Sequence, residues 1–179
     1  MEARLHGFPF RWFLPVTQLC LCISILWPYS SLLQGRFWSF SGPQLIVPPA
    51  LNIPVLFAQL PYIIANPDKT EWIPGDMPFE MWRAVSWPFV GSVFWWLAGR
   101  GVEGLSAALR RRIVDPKIGW IEVTVSLAVF ALGGIAFLGL ISEVHADQLT
   151  IALAMGSGLW MMLGAVTVAA KVLQWRLCF

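Results

Sequence analysis

Residues 116–141 read PKIGWIEVTVSLAVFALGGIAFLGLI and residues 149–174 read LTIALAMGSGLWMMLGAVTVAAKVLQ, with only the polar link 142–148 between them. Crossing a hydrocarbon layer takes about 20 mostly apolar residues in a helix, and each stretch is longer than that. Their charges sit at one end: Lys117 and Glu122 open the first stretch, and Lys171 closes the second. Asp115 before Pro116 has the form of an N-cap followed by a first helical residue. Two such helices joined by so short a link predict a membrane hairpin, and the rest of the chain is read outward from it.

The composition agrees. Of the 179 residues, 58% are hydrophobic and 12% are charged, with a mean hydropathy of +0.68. Soluble chains carry about 45–50% apolar and about 25% charged residues. So little polar surface cannot cover a 20.0 kDa globule. An ordinary soluble enzyme and a disordered tail are excluded. A net charge of +2 is far from the concentrated basic face of a nucleic-acid binder. The expected class is an all-α membrane protein in one domain, residues 1–179, with the lipid bilayer as its first partner.

Upstream, residues 81–99 read MWRAVSWPFVGSVFWWLAG. Trp82 and Trp87 mark one end and Trp95 and Trp96 the other, as in interfacial aromatic belts. Pro88 should bend this helix. Residues 12–33 form a further span, with no charge between Arg11 and Arg36. Pro15 falls in the first turn of that span and Pro28 near its end. No A-x-A-like cleavage site follows it, so an uncleaved anchor is expected rather than a signal peptide.

Residues 43–65 are also free of charge, but prolines stand at 43, 48, 49, 54 and 61. An interior proline costs a helix about 3 kcal/mol, and lipid offers no water to repair the lost bonds. This stretch is therefore expected to be interfacial or re-entrant, with its best helix at 53–65, inside a long proline-rich external loop, 34–80.

Charge counting supports four spans, at about 12–33, 81–99, 116–141 and 149–174. With both termini cytoplasmic, the inside holds Arg4, Arg11, Arg100, Arg110, Arg111, Arg112, Lys117, Lys171 and Arg176, and the outside holds Arg36, Lys69 and Arg83. That is the direction of the positive-inside rule, and a fifth span at 43–65 would turn the Arg110–Arg112 run outward. The basic stretch 100–115 is expected to extend the second span as an amphipathic helix, with Val102, Leu105, Ala108 and Leu109 on one side. The compartment expected is the plasma membrane, as the bacterial inner membrane, since no N-x-S/T glycosylation acceptor occurs.

Chemistry is sparse. Ionisable groups near the membrane core are the default functional candidates. Glu122, two turns into the third span, could bind a cation or relay protons, or simply pair with a nearby basic group. Arg83 could hold a phosphate or an anionic substrate, or point outward to water. Glu143, His145 and Asp147 alternate on the short link and could contribute metal ligands, although a plain helix-to-helix turn has the same composition. The two histidines, His6 and His145, fall on opposite sides and cannot share a haem. Cys20, Cys22 and Cys178 form no C-x-x-C pair. No hydrolase, metalloprotease or P-loop pattern occurs. No catalytic residue, metal site or cofactor is expected.

Small residues remain. Gly133, Gly134, Ala154 and Gly158, with Gly156 and the Ala165/Ala169 pair nearby, would let helix backbones approach closely. They close this bundle or a contact with a membrane-protein partner or a second copy. The function expected is a non-enzymatic accessory or scaffold subunit. The alternatives are a small transporter or channel component using Glu122 or Arg83, and a membrane enzyme with an external site near His145.

Overall fold

The computed structural model describes residues 9–26, 43–57, 59, 72–73, 77–110, 118–142 and 147–177. The described residues are predominantly helical. In chain order they form α1 (Phe10–Leu26), α2 (Pro43–Leu51), a short antiparallel ladder of β1 (Trp72–Ile73) with β2 (Met77–Pro78), α3 (Phe79–Leu109), α4 (Trp120–Ile141) and α5 (Gln148–Leu177). Backbone packing runs from α1 to α3, from α3 to α5 and from α5 to α4, with α2 set against α5 and α1.

Two helices, α4 and α5, are long and apolar enough to cross a membrane, and α1 is a shorter apolar helix. Most of their apolar surface faces outward. The apolar window of α4 is only 17% buried and that of α5 33%. Ile121 is 81% exposed, Met155 71% and Ile135 69%. The buried face of α4 is Val123, Ser126, Val129 and Gly133, at helical spacing. That of α5 is Ala154, Gly156, Ser157, Trp160, Gly164, Thr167 and Ala170. A Cβ on Gly133 would stand 3.0 Å from Ser157 O, and one on Gly164 2.6 Å from Ser126 O. The two helices therefore touch backbone to backbone.

Helix α4 starts at Trp120, with Gly119 as its N-cap. The cap expected at Asp115 is thus displaced, and Asp115 and Pro116 lie outside the described residues. Helix α1 starts at Phe10, which puts Pro15 past the first turn and inside the helix. Pro15 consequently has no N–H to give Arg11 O. Helix α3, with 31 residues, spans roughly 46 Å. It continues through Arg100 to Leu109 as one helix. The face of this extension that is buried is Gly101, Gly104 and Ala108. A Cβ on Gly104 would meet Ile118 Cδ1 at 2.7 Å, and one on Gly101 would overlap the Thr167 hydroxyl. The extension packs against Ile118 and α5 through this small-residue face, while Leu109 at its end is 69% exposed.

The proline-rich stretch also differs from expectation. Its regular helix is α2, at 43–51, with Pro48 and Pro49 inside it, followed by a turn at Asn52 and a short helical run over 53–57. Residues 58 and 60–65 of the expected helix lie outside the described residues. The segment is interior: Asn52 is 0% exposed, Val55 1% and Ile53 3%. Two apolar clusters include it, Cys22–Val55–Trp87 and Ile53–Ala98–Val129–Trp160, and a third, Ile118–Val123–Ala170, packs α4 on α5 and the end of α3.

Candidate functional site

Polar side chains gather in two layers, one of amides and one of charges. The amide layer exists because prolines interrupt the backbone ladder. Pro54 has no N–H for Ala50 O. Val55 N bonds to Asn52 O at 2.9 Å instead of reaching Leu51 O. Leu51 O accepts indole N–H bonds from Trp160 at 2.9 Å and Trp95 at 3.2 Å. The two rings lie edge to face, with centroids 4.9 Å apart. Ala50 O faces α5 where Gly156 has no side chain, and a Cβ there would overlap it. Gly156 is the backbone contact that seats the broken segment on α5.

Asn52 turns the segment over. Its backbone N–H reaches Pro48 O at 3.1 Å, and its Nδ2 donates to the same carbonyl at 2.8 Å. Its Oδ1 accepts from Gln18 Nε2 of α1 at 3.0 Å. Gln18 Nε2 also lies 3.0 Å from Trp87 O, just before Pro88, and 3.2 Å from Cys22 Sγ. The Ser92 hydroxyl of α3 lies 3.0 Å from Gln18 Oε1 and 2.5 Å from Pro88 O, and its one proton can go to either. A Cβ on Gly91 would overlap Asn52 Oδ1, so the absence of a side chain on α3 makes the space for this contact. Beside the node, Gln59 Nε2 donates to Ser86 Oγ at 3.0 Å. Gln59 is buried and its Oε1 has no partner among the described residues. Every member is uncharged. The layer joins α1, the 43–59 segment and α3.

The charged layer lies roughly 14 Å further along α3, at Arg100. Arg100 Nη1 meets Glu122 Oε1 at 2.7 Å, with both side chains mostly buried, and its guanidinium lies 4.9 Å from the centre of the Trp96 ring. Glu122 Oε2 accepts from Gly119 N at 2.7 Å. A carboxylate at the third helical position reaches back to the N-cap N–H in this way, which also suits the positive end of the helix dipole. Glu103 accepts from Arg11 N at 2.9 Å and faces Arg11 Nε at 3.4 Å. This contact sits where Gly99 lets the start of α1 approach: a Cβ there would be 2.6 Å from Phe10 O. Lys171 Nζ donates to Ile118 O at 2.7 Å, and Gln174 Oε1 accepts from Ile118 N at 3.3 Å.

The candidates read from the sequence are thus dispersed. Glu122 is held by Arg100 and its own helix start. Arg83 lies in the first part of α3, outside the residues whose side chains are described. Glu143 and His145 also lie outside the described residues. Asp147 caps α5: its Oδ1 accepts from Thr150 N at 2.7 Å. That backbone hydrogen bond holds the Asp147 carboxyl below the usual carboxylate range. Among the described residues no group of three or more His, Cys, Asp or Glu side chains could hold a metal. Of the packing candidates, Gly133 makes a tight backbone contact and Ala154 is buried, whereas Gly134 and Gly158 meet only side chains, at 3.5 Å and 3.4 Å.

Gln18, Asn52 and Gln59 were not singled out from the sequence, nor were Gly91, Gly99 and Gly101. The signal existed: each amide stands inside a stretch otherwise free of charge, where a polar group must find an internal partner. The pocket between α3, α4 and α5, bordered by Ser126 and Thr167, has about 20 Å³, room for one water. A larger apolar groove of about 370 Å³, lined by Trp12, Pro15, Val16, Leu19, Val93 and Trp96, opens to the outside between α1 and α3. Comparison with known proteins finds no matching family model, no similar curated protein and no similar solved structure.

Proposed function

We propose that this chain is a multi-pass integral membrane protein that crosses the bilayer on α1, α3, α4 and α5. In this reading both ends and the 100–117 region are cytoplasmic and the membrane is the plasma membrane, as in a bacterial inner membrane. Its role is that of a non-enzymatic accessory or scaffold subunit that packs with membrane partners or with a second copy. The outward-facing apolar surface of α4 and α5 supports the membrane reading, since the core helix of a soluble protein hides that surface. One observation carries the scaffold role. The ionisable side chains placed among the helices hold the chain's own elements together: Glu122 joins Arg100 to the start of α4, and Glu103 joins α3 to α1.

A second reading, a component of a transport path, draws on the broken 43–59 segment. Unwound backbone amid helices is how many transporters build their sites. That reading needs water access to Asn52 or Glu122.

Two measurements test the proposal. Cysteines placed singly at 69 and 147, in a chain lacking Cys20, Cys22 and Cys178, should react with a membrane-impermeant thiol reagent on intact cells. Those at 111 and 176 should react only after the membrane is opened. Equal labelling at 69 and 111 overturns the four-span plan. Mild solubilisation should then recover a stoichiometric membrane partner or a homo-oligomer. A lone monomer that supports ion flux in liposomes overturns the scaffold role.

A further inference from the structure

The two carboxylates of the charged layer already face their own arginines, Glu122 with Arg100 and Glu103 with Arg11. Lys171 stands in the same layer with no carboxylate partner among the described residues. Its Nζ donates to Ile118 O at 2.7 Å and lies 5.1 Å from the centre of the Trp120 ring. An ammonium carries three N–H donors, so a single carbonyl does not use them all. Around it the surface is apolar and open: Trp120 is 74% exposed and Trp175, one helical turn beyond Lys171, is 62% exposed. Arg110 and Arg176 are exposed near the ends of α3 and α5.

This end of the bundle therefore collects Arg11, Arg100, Arg110, Lys171 and Arg176 against Glu103 and Glu122. The α4–α5 turn at the other end carries Asp147 among its described residues. Excess positive charge edged by exposed indoles is complementary to an anionic headgroup above its acyl chains. The ammonium meets the phosphate, and each indole lies at headgroup depth with its ring toward hydrocarbon. A free phosphate in water would gain nothing from the two exposed rings.

We propose that the Lys171–Trp120–Trp175 surface binds an anionic phospholipid, with Lys171 on the headgroup phosphate and the two indoles against the glycerol and upper acyl region. The inference rests on the membrane-spanning reading above.

The test uses the full chain, reconstituted into vesicles of equimolar phosphatidylglycerol and phosphatidylcholine. Lipids retained after gentle detergent extraction are then counted by native mass spectrometry. The wild type should retain phosphatidylglycerol over phosphatidylcholine by roughly fivefold, the worth of one cation near such a headgroup. Lys171→Gln should lower the ratio by more than half, with Arg176 nearby holding the rest, and Lys171→Arg should keep it. Because Lys171 also bonds Ile118 O, Lys171→Gln is checked by its melting curve. If it fails to fold, the exposed Arg176→Gln decides, with a smaller drop of the same sign expected. No preference in the wild type, or an unchanged ratio in whichever of these two variants decides, overturns the lipid site. Displacement of the lipid by inorganic phosphate overturns it too, in favour of a free-anion site. Failure to resist alkaline carbonate extraction overturns the membrane reading itself, a result distinct from normal insertion without lipid preference.

Discussion

Between α4 and α5 the contact is made by what the side chains lack. Gly133 and Gly164 bring backbone against backbone, and most of the large apolar side chains of the two helices face outward. Between α1, the 43–59 segment and α3 the contact is made by amides. Gln18 and Asn52 bond to each other and to the carbonyls of Trp87 and Pro48, and the indoles of Trp95 and Trp160 close on Leu51 O. An uninterrupted helix satisfies its own backbone and needs only shape to pack in lipid. A helix interrupted at Pro48, Pro49 and Pro54 leaves carbonyls that only neighbouring side chains can meet. The proline-rich half is therefore held by a few named bonds, and the hairpin by many small contacts.

The largest effect should come where the two halves meet. Gly156→Ala places a Cβ against Ala50 O, a backbone atom that cannot rotate away. It should lower stability in detergent by about 3 kcal/mol, the upper range of overpacking, read as a lower midpoint of thermal unfolding. The contrast is Gly139→Ala, which has open space around it. That variant should be neutral or gain up to about 1 kcal/mol from helix propensity. Equal responses of the two would mean that α2 does not rest on α5.

Asn52→Ala tests the amide half directly. It removes the bonds to Pro48 O and Gln18 and leaves buried groups without partners, a loss of about 2 kcal/mol. Gln18→Ala combined with it should cost less than the sum of the two single changes, since they share one bond. Additive melting shifts would break the claim that these residues form one node.

Glu122→Gln should act more mildly, by about 1 kcal/mol. The two bonds use different oxygens of Glu122; the Gln amide keeps one of them, so it can accept from Gly119 N or from Arg100 but not from both, and the charge attraction is gone. Expression and insertion should stay normal. In a cellular complementation assay at matched protein levels, complete loss of activity by a normally inserted Gln variant would favour the transport reading.

The smallest effect concerns Asp147 at the start of the hairpin's second helix. Its carboxyl titrates lower in the folded chain because Thr150 N–H bonds to the ionised form. Its contribution is therefore fully present above the unfolded carboxylate value and is lost as pH falls below about 4, through the folded value. In Asp147→Asn this part of the acid destabilisation should disappear. Amide exchange in the first turn of α5, followed across that pH range, measures it. An unchanged pH profile would show that the cap contributes nothing.

Much of this could be read from residue order alone. The apolar runs 116–141 and 149–174 predict two long helices, and the structure has them at Trp120–Ile141 and Gln148–Leu177, because length and hydropathy act locally along a chain. The prolines of 43–65 predict an interrupted helix for the same reason, since a missing N–H is a property of one residue, and the structure has a turn at Asn52 between α2 and the run over 53–57. Which carbonyls those prolines would orphan, and which side chains would answer them, was not legible. Gln18, Asn52 and Trp160 are far apart in sequence, and neither pattern nor charge ranks one amide above another. Glu122 shows the same division. Residue order sets it two turns into a helix capped at Asp115; the cap at Gly119 moves it to the first turn, and its pairing with Arg100 depends on how α3 and α4 cross. The sequence by itself determined where helices form and which surfaces are apolar, since those follow from each residue's own chemistry. Only the tertiary structure decided the partners of the buried polar groups, since a hydrogen bond depends on a few tenths of an ångström between elements that folding alone brings together.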